Sequence, residues 1–196
     1  CATLAADMKV QNRRQVYQAI RTTPGQLVTR TKIGHDTGIS APTVLKIFDF
    51  LVRCGIVVAC GGDNSMDPGR KSSLFRFVPD AALAAGVTYD GHILEMSLVN
   101  LNFETVKHRQ FELTTDISTI MKEVLPRRLA EFTAGAPRLL GVGVSLPASV
   151  NNAEKSICFQ ASPSFGERMS KESLMLECTA LEKQMGVPVL LENDVN

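Results

Sequence analysis

The stretch Thr37 to Cys54 (TGISAPTVLKIFDFLVRC) leaves a folding chain few choices. Gly38 breaks the helix before it, Ser40 stands where an N-cap belongs, and Pro42 falls in a first turn, where its missing N–H costs little. Val44, Ile47, Phe48 and Leu51 then recur at i, i+3, i+4 and i+7, the spacing of one buried helical stripe. A helix here must lay that stripe on a core and leave Ala41, Thr43 and Lys46 on its other side.

The flanking residues supply the core. Asn12 to Arg21 (NRRQVYQAIR) sets Val16, Ala19 and Ile20 at helical spacing with Arg13 and Arg14 mostly elsewhere, and Pro24-Gly25 ends it. Thr31 to Thr37 reads as a short helix with Ile33 inward and Gly34 small enough for a close helix approach. Gly55 closes the third helix, and Ile56 to Cys60 reads as a strand. Gly61 to Gly69 (GGDNSMDPG) is a turn-rich loop, followed by Arg70-Lys71 and a second strand, Ser73 to Val78, around Phe75 and Phe77. Helix, helix, glycine turn, capped helix, strand, basic loop, strand is the order of a winged helix-turn-helix. Each element alone also suits a protein-interaction module; their order favours a nucleic-acid reader.

Charge agrees with that expectation. Lys9 to Phe77 holds eleven basic and four acidic residues, a net of +7, whereas Val78 to Asn196 holds ten and fifteen, a net of −5. A basic first part points to a polyanionic partner. The expected contacts to double-stranded DNA are Arg13, Arg14, Ser40, Ala41, Pro42, Thr43 and Lys46, with Arg70 and Lys71 set against phosphates or a minor groove.

From about Ala84 the pattern becomes strand-rich. Ala84 to Tyr89, Ile93 to Asn100 and Thr105 to Leu113 suggest an antiparallel meander, with turns at Asp90-Gly91 and Asn100 to Asn102. A helix is expected over Ile117 to Phe132, with Ile117, Ile120, Met121 and Val124 inward and Pro126 kinking or dividing it. Leu139 to Ser145 (LLGVGVS) reads as a strand buried on both faces, Ser173 to Met185 as a helix, and Pro188 to Leu191 as a last buried strand. The five cysteines and three histidines are scattered, without spacing for a metal site, and no metal or cofactor is expected. No apolar run is long enough to cross a bilayer, and Cys1 to Asp7 lacks the pattern of a signal peptide, so a cytoplasmic location is expected.

Five segments together resemble the ROK group (repressors, open reading frames and sugar kinases), and within it the winged-helix regulators: NRRQVYQAI, TGISAPTVLKI, PGRKSSLFRF, GVGVSLPASV and GVPVLLENDVN. The resemblance implies an α+β or α/β chain. Residues 1–79 would be the winged helix-turn-helix, and 80–196 the first lobe of a ribonuclease-H-like (actin-like ATPase, sugar-kinase) domain, truncated before its second lobe. It also implies that Asn193 and Asp194 face a sugar effector. In the kinases the position of Asp194 is the general base, which leaves an ATP-dependent hexose kinase as the alternative. Against that, the group's Asp-x-Gly-Gly-Thr phosphate hairpin reads Thr88-Tyr89-Asp90-Gly91-His92 here, and the segment Gly141 to Ala148 lacks its last glycine. The expectation is therefore a non-enzymatic, homodimeric, sugar-responsive repressor of carbohydrate metabolism genes.

Overall fold

The structure, a computed structural model, describes residues 2–23, 25, 27–62, 73–113, 119–146, 149–151, 153–159 and 174–193. It divides into two compact units, Cys1–Ala81 and Ala82–Asn196.

The first unit runs α1 (Ala2–Thr22), β1 (Leu27–Thr29), α2 (Arg30–Thr37), α3 (Ala41–Arg53), β2 (Val57–Gly62) and β3 (Ser73–Phe77). Its strands form an antiparallel sheet in the order β1-β3-β2. Val16 and Ile20 of α1, Ile33 of α2 and the α3 stripe Val44, Ile47, Phe48 and Leu51 are buried with Val28, Val57, Phe75 and Phe77 of the sheet. Two edge-to-face aromatic pairs tie helices to sheet: Phe48 with Phe75 at 5.0 Å between centroids, and Tyr17 with Phe77 at 6.0 Å.

Several local expectations are corrected. Helix α1 starts ten residues before Asn12, because ATLAAD contains good helix formers and nothing that stops a helix. Strand β1 was not expected: three residues are too few to show a strand period, and only its pairing with β3 creates it. Ser40 does occupy the N-cap position of α3, yet its hydroxyl makes no capping bond; it lies 3.0 Å from the Thr43 hydroxyl. Thr29 is the working cap, accepting the Lys32 N–H at 3.1 Å for α2. Gly38 ends α2 at φ 69°, a conformation that favours glycine. Gly34 is not demanded by space, since a Cβ there would sit 3.5 Å from the Ile39 carbonyl oxygen, an ordinary contact.

The second unit opens with β4 (Leu83–Tyr89), β5 (Ile93–Asn100) and β6 (Thr105–Glu112), an antiparallel meander. A π-helical turn, Ile120–Val124, leads into α4 (Leu125–Thr133), and β7 (Leu139–Leu146) then pairs parallel to β4. Strands β8 (Ser149–Asn151), β9 (Ser156–Phe159) and β10 (Leu174–Glu177) make a separate antiparallel sheet. Helix α5 (Thr179–Met185) and β11 (Val189–Asn193), parallel to β7, complete a five-stranded sheet in the order β11-β7-β4-β5-β6. One face packs on α4 and α5: Val87, Leu94, Met96, Val144, Leu146 and Leu191 meet Leu125, Leu129, Phe132 and Leu181.

The expected helix is continuous over the described residues 119–133, and Pro126 stands in the first turn of α4, where the π turn passes into it. Ile117 and the side chain of Met121 lie outside the described residues. Strand β7 is not covered on both faces, because Gly143 is exposed while Val142 and Val144 are buried. The last strand likewise alternates, with Leu190 65% exposed between Val189 and Leu191. The expected helix 173–185 is instead β10 followed by α5. Leu174 to Glu177 pairs with β9, and an apolar run this short suits a strand as well as a helix.

Candidate functional site

Helix α3 turns the stripe 44, 47, 48 and 51 inward, so Pro42, Lys46, Asp49 and Arg53, at i, i+4, i+7 and i+11, form its outermost ridge. Ala41 and Leu45 flank that ridge and are also exposed. Thr43 is half-buried and turns toward α1. There it lines a cleft together with Lys9, Arg13 and Lys46. Arg13 is committed to packing in part, with its guanidinium carbon 4.5 Å from the centre of the Phe50 ring.

Of the expected contacts, Arg13, Thr43 and Lys46 therefore converge on one cleft, and Ala41 and Pro42 stand at the exposed start of α3. Arg14 does not join them; it lines a groove between α1 and α2 with Gln18 and Asp36. Arg70 and Lys71, between β2 and β3 in the sequence, lie outside the described residues. Asp49 and Arg53 share the ridge, and Lys9 the cleft, without being among the expected contacts. The first two were legible as the positions opposite the apolar stripe, had the helical period been followed to its last turn.

In the second unit, Asn193 ends β11 opposite Leu146 of β7 and is half-buried. Asp194 lies outside the described residues. The turn at Asp90 to His92 is clear. The Asp90 carboxylate accepts the backbone N–H groups of His92 at 2.8 Å and Ile93 at 2.7 Å, and the Tyr89 hydroxyl donates to the Gly91 carbonyl at 2.7 Å. Those backbone bonds, from Ile93 first and His92 second, hold the Asp90 carboxyl below the usual carboxylate range. The backbone N–H groups of His92 and Ile93 are thus taken by a carboxylate of the turn itself. The sheet face opposite α4 and α5 carries Gly86, Thr88, Ser97, Gly143 and Ser145, a small-residue groove edged by Glu95 and Glu192. Burial pushes the Cys178 thiol up to about 11, which leaves it an inert core group. Among the described residues no group of three or more His, Cys, Asp or Glu side chains gathers as a metal site, and no helix is long and apolar enough to cross a membrane.

An antiparallel meander extended by two parallel strands, with its helices on one described face, makes the second unit a mixed α+β unit. The chain belongs to the ROK family, whose model matches residues 84–196. It is 24% identical over 187 residues to the uncharacterized protein y4fQ of Sinorhizobium fredii (strain NBRC 101917 / NGR234), which covers 93% of this chain and 45% of that protein. The crystal structure of a ROK family transcriptional regulator, a homolog of the E. coli MLC protein, aligns at TM-score 0.69 and 17% identity, over 95% of this chain and 46% of that one. A ROK family glucokinase from Streptomyces griseus, in complex with glucose and AMPPNP, aligns at TM-score 0.42 and 20% identity, over 58% of this chain and 34% of the other. The chain spans about half the length of the relative and the regulator it matches.

Proposed function

We propose that the first unit is a winged helix-turn-helix, with α3 as the helix that enters the major groove of double-stranded DNA and the β2–β3 hairpin as its wing. The observation that carries this reading is the outward ridge of α3, which starts on small residues, bears Lys46 and Arg53, and is followed directly by an antiparallel hairpin. Arg70 and Lys71, in the hairpin loop, supply phosphate contacts, and Lys9, Arg13 and Lys46 supply more from the α1–α3 cleft. The likeness to a ROK transcriptional regulator supports the same reading, because it covers 95% of the chain and so includes this unit.

The chain then acts as a transcriptional regulator, a repressor of carbohydrate metabolism genes, with Asn193 and Asp194 reading the hydroxyls of a sugar effector. As a homodimer it presents two α3 helices to half-sites about 34–36 Å apart. A kinase needs an open phosphate cradle, and the Asp90 carboxylate that closes its own turn argues for a sensor without phosphoryl transfer.

The test is the salt dependence of binding to a mixed duplex. Neutralising four or more phosphates should cost about a hundredfold or more in affinity between about 50 mM and about 200 mM salt. Replacing Arg70 and Lys71 together by Ala should weaken binding to every sequence and lower the log–log slope by about 1.8. Salt-independent binding, or none, would refute the DNA reading; an unchanged slope in the double variant would remove the wing from it.

A further inference from the structure

The ridge of α3 carries one residue that the DNA-binding proposal leaves unused. Asp49 lies between Lys46 and Arg53, and its side chain is 56% exposed. On a surface that meets a polyanion, a carboxylate repels phosphates and weakens association unless it accepts from a donor that only some sequences present. This carboxylate also has a neighbour. Its Oδ1 accepts from Arg30 at 3.4 Å, and Arg30 is itself stacked with its guanidinium carbon 4.7 Å from the Phe75 ring centre and 6.0 Å from that of Phe48.

An exposed ion pair of that length contributes little to stability. It sets the Arg30 guanidinium beside Oδ1, which offsets part of the carboxylate's charge, while among the described residues no partner takes Oδ2. The major-groove edge suited to a lone acceptor is cytosine, whose N4 amine is a donor. Adenine sets its N6 donor beside the N7 acceptor, which repels a carboxylate and suits an amide instead.

We propose that Asp49 is a specificity-determining residue that accepts from the cytosine amine in the major groove, with Arg30 as its positioning residue. The inference rests on the DNA-binding reading and names which base the helix selects.

The experiment selects bound duplexes from a random pool with the full chain and with Asp49→Ala, Asp49→Asn and Arg30→Gln. The unaltered chain should enrich one C·G pair per half-site. Asp49→Ala should lose about tenfold of the preference at that pair alone, with affinity for other sequences equal or higher. Asp49→Asn should move the preference toward A·T, since an amide both donates and accepts. Arg30→Gln should blur the same pair and no other, which a merely structural role of Arg30 would not do. If Asp49→Ala selects the same sites as the unaltered chain, this proposal fails while the DNA-binding reading stands. If the unaltered chain shows no salt-dependent binding, both fail.

Discussion

Replacing Phe48 by Ala tests whether each unit stands on its own core. Phe48 is fully buried on α3 and meets Phe75 of β3 edge to face at 5.0 Å, so its ring joins helix to sheet at the centre of the first unit. Removing a buried Phe ring costs about 3–5 kcal/mol, which includes the loss of an aromatic pair worth about 0.5–1.5 kcal/mol. A unit spanning Cys1–Ala81 is expected to hold about 4–12 kcal/mol in total, so the change removes from a quarter to all of its stability. The chain supplies its own reporters, because it has no Trp and only two Tyr residues, one in each unit. Tyr17 meets Phe77 edge to face in the first, and Tyr89 is buried in the second. Urea melts followed by tyrosine fluorescence, in Tyr89→Phe and Tyr17→Phe backgrounds, read the two separately. The Tyr17 transition should move to much lower urea, or vanish, while the Tyr89 transition holds and DNA affinity is lost. A shift below about 1 kcal/mol in the Tyr17 transition would refute the packing argument. Equal shifts in both would refute the independence of the two cores.

Two further outcomes concern the second unit. Because backbone N–H groups hold the Asp90 carboxyl below its unfolded value, the stability it contributes is complete above the unfolded pKa and is lost as pH falls through the folded one. Asp90→Asn should remove that acid-dependent part from urea melts between neutral and strongly acid pH, and an equal acid loss in both proteins would clear Asp90 as its source. Gly141 and Gly143 should part company. A Cβ at Gly141 would sit 3.1 Å from the Pro188 carbonyl oxygen, whereas at Gly143 the nearest such atom is 4.0 Å away. Gly141→Ala should therefore cost about 1–2 kcal/mol in thermal melts, and Gly143→Ala should be neutral or stabilise by up to about 1 kcal/mol. Equal costs would mean that the strand β7–β11 approach does not govern them.

How much of this was legible follows from the kind of interaction each element answers to. The chain by itself determined α3, because one apolar stripe, a glycine stop and a proline in the first turn are local, and the stripe names its buried face before any partner is known. It determined the meander for the same reason, since strands β4 to β6 are joined by short turns that side chains such as Asp90 close locally. It also determined the family, through residues in the matched segment 84–196.

Only the tertiary structure decided what depends on distant pairing. Strand β1 exists because β3 comes back to it, and β10 because β9 does, although their short apolar runs fit a helix or a loop equally well. The same holds for the ridge of α3. Sequence placed Asp49 on a helix, but only the fold shows that Arg30, over the Phe75 and Phe48 rings from other parts of the chain, lies against its carboxylate. Local periodicity fixes which face a residue occupies; where its polar atoms point is set by neighbours that the fold brings from elsewhere.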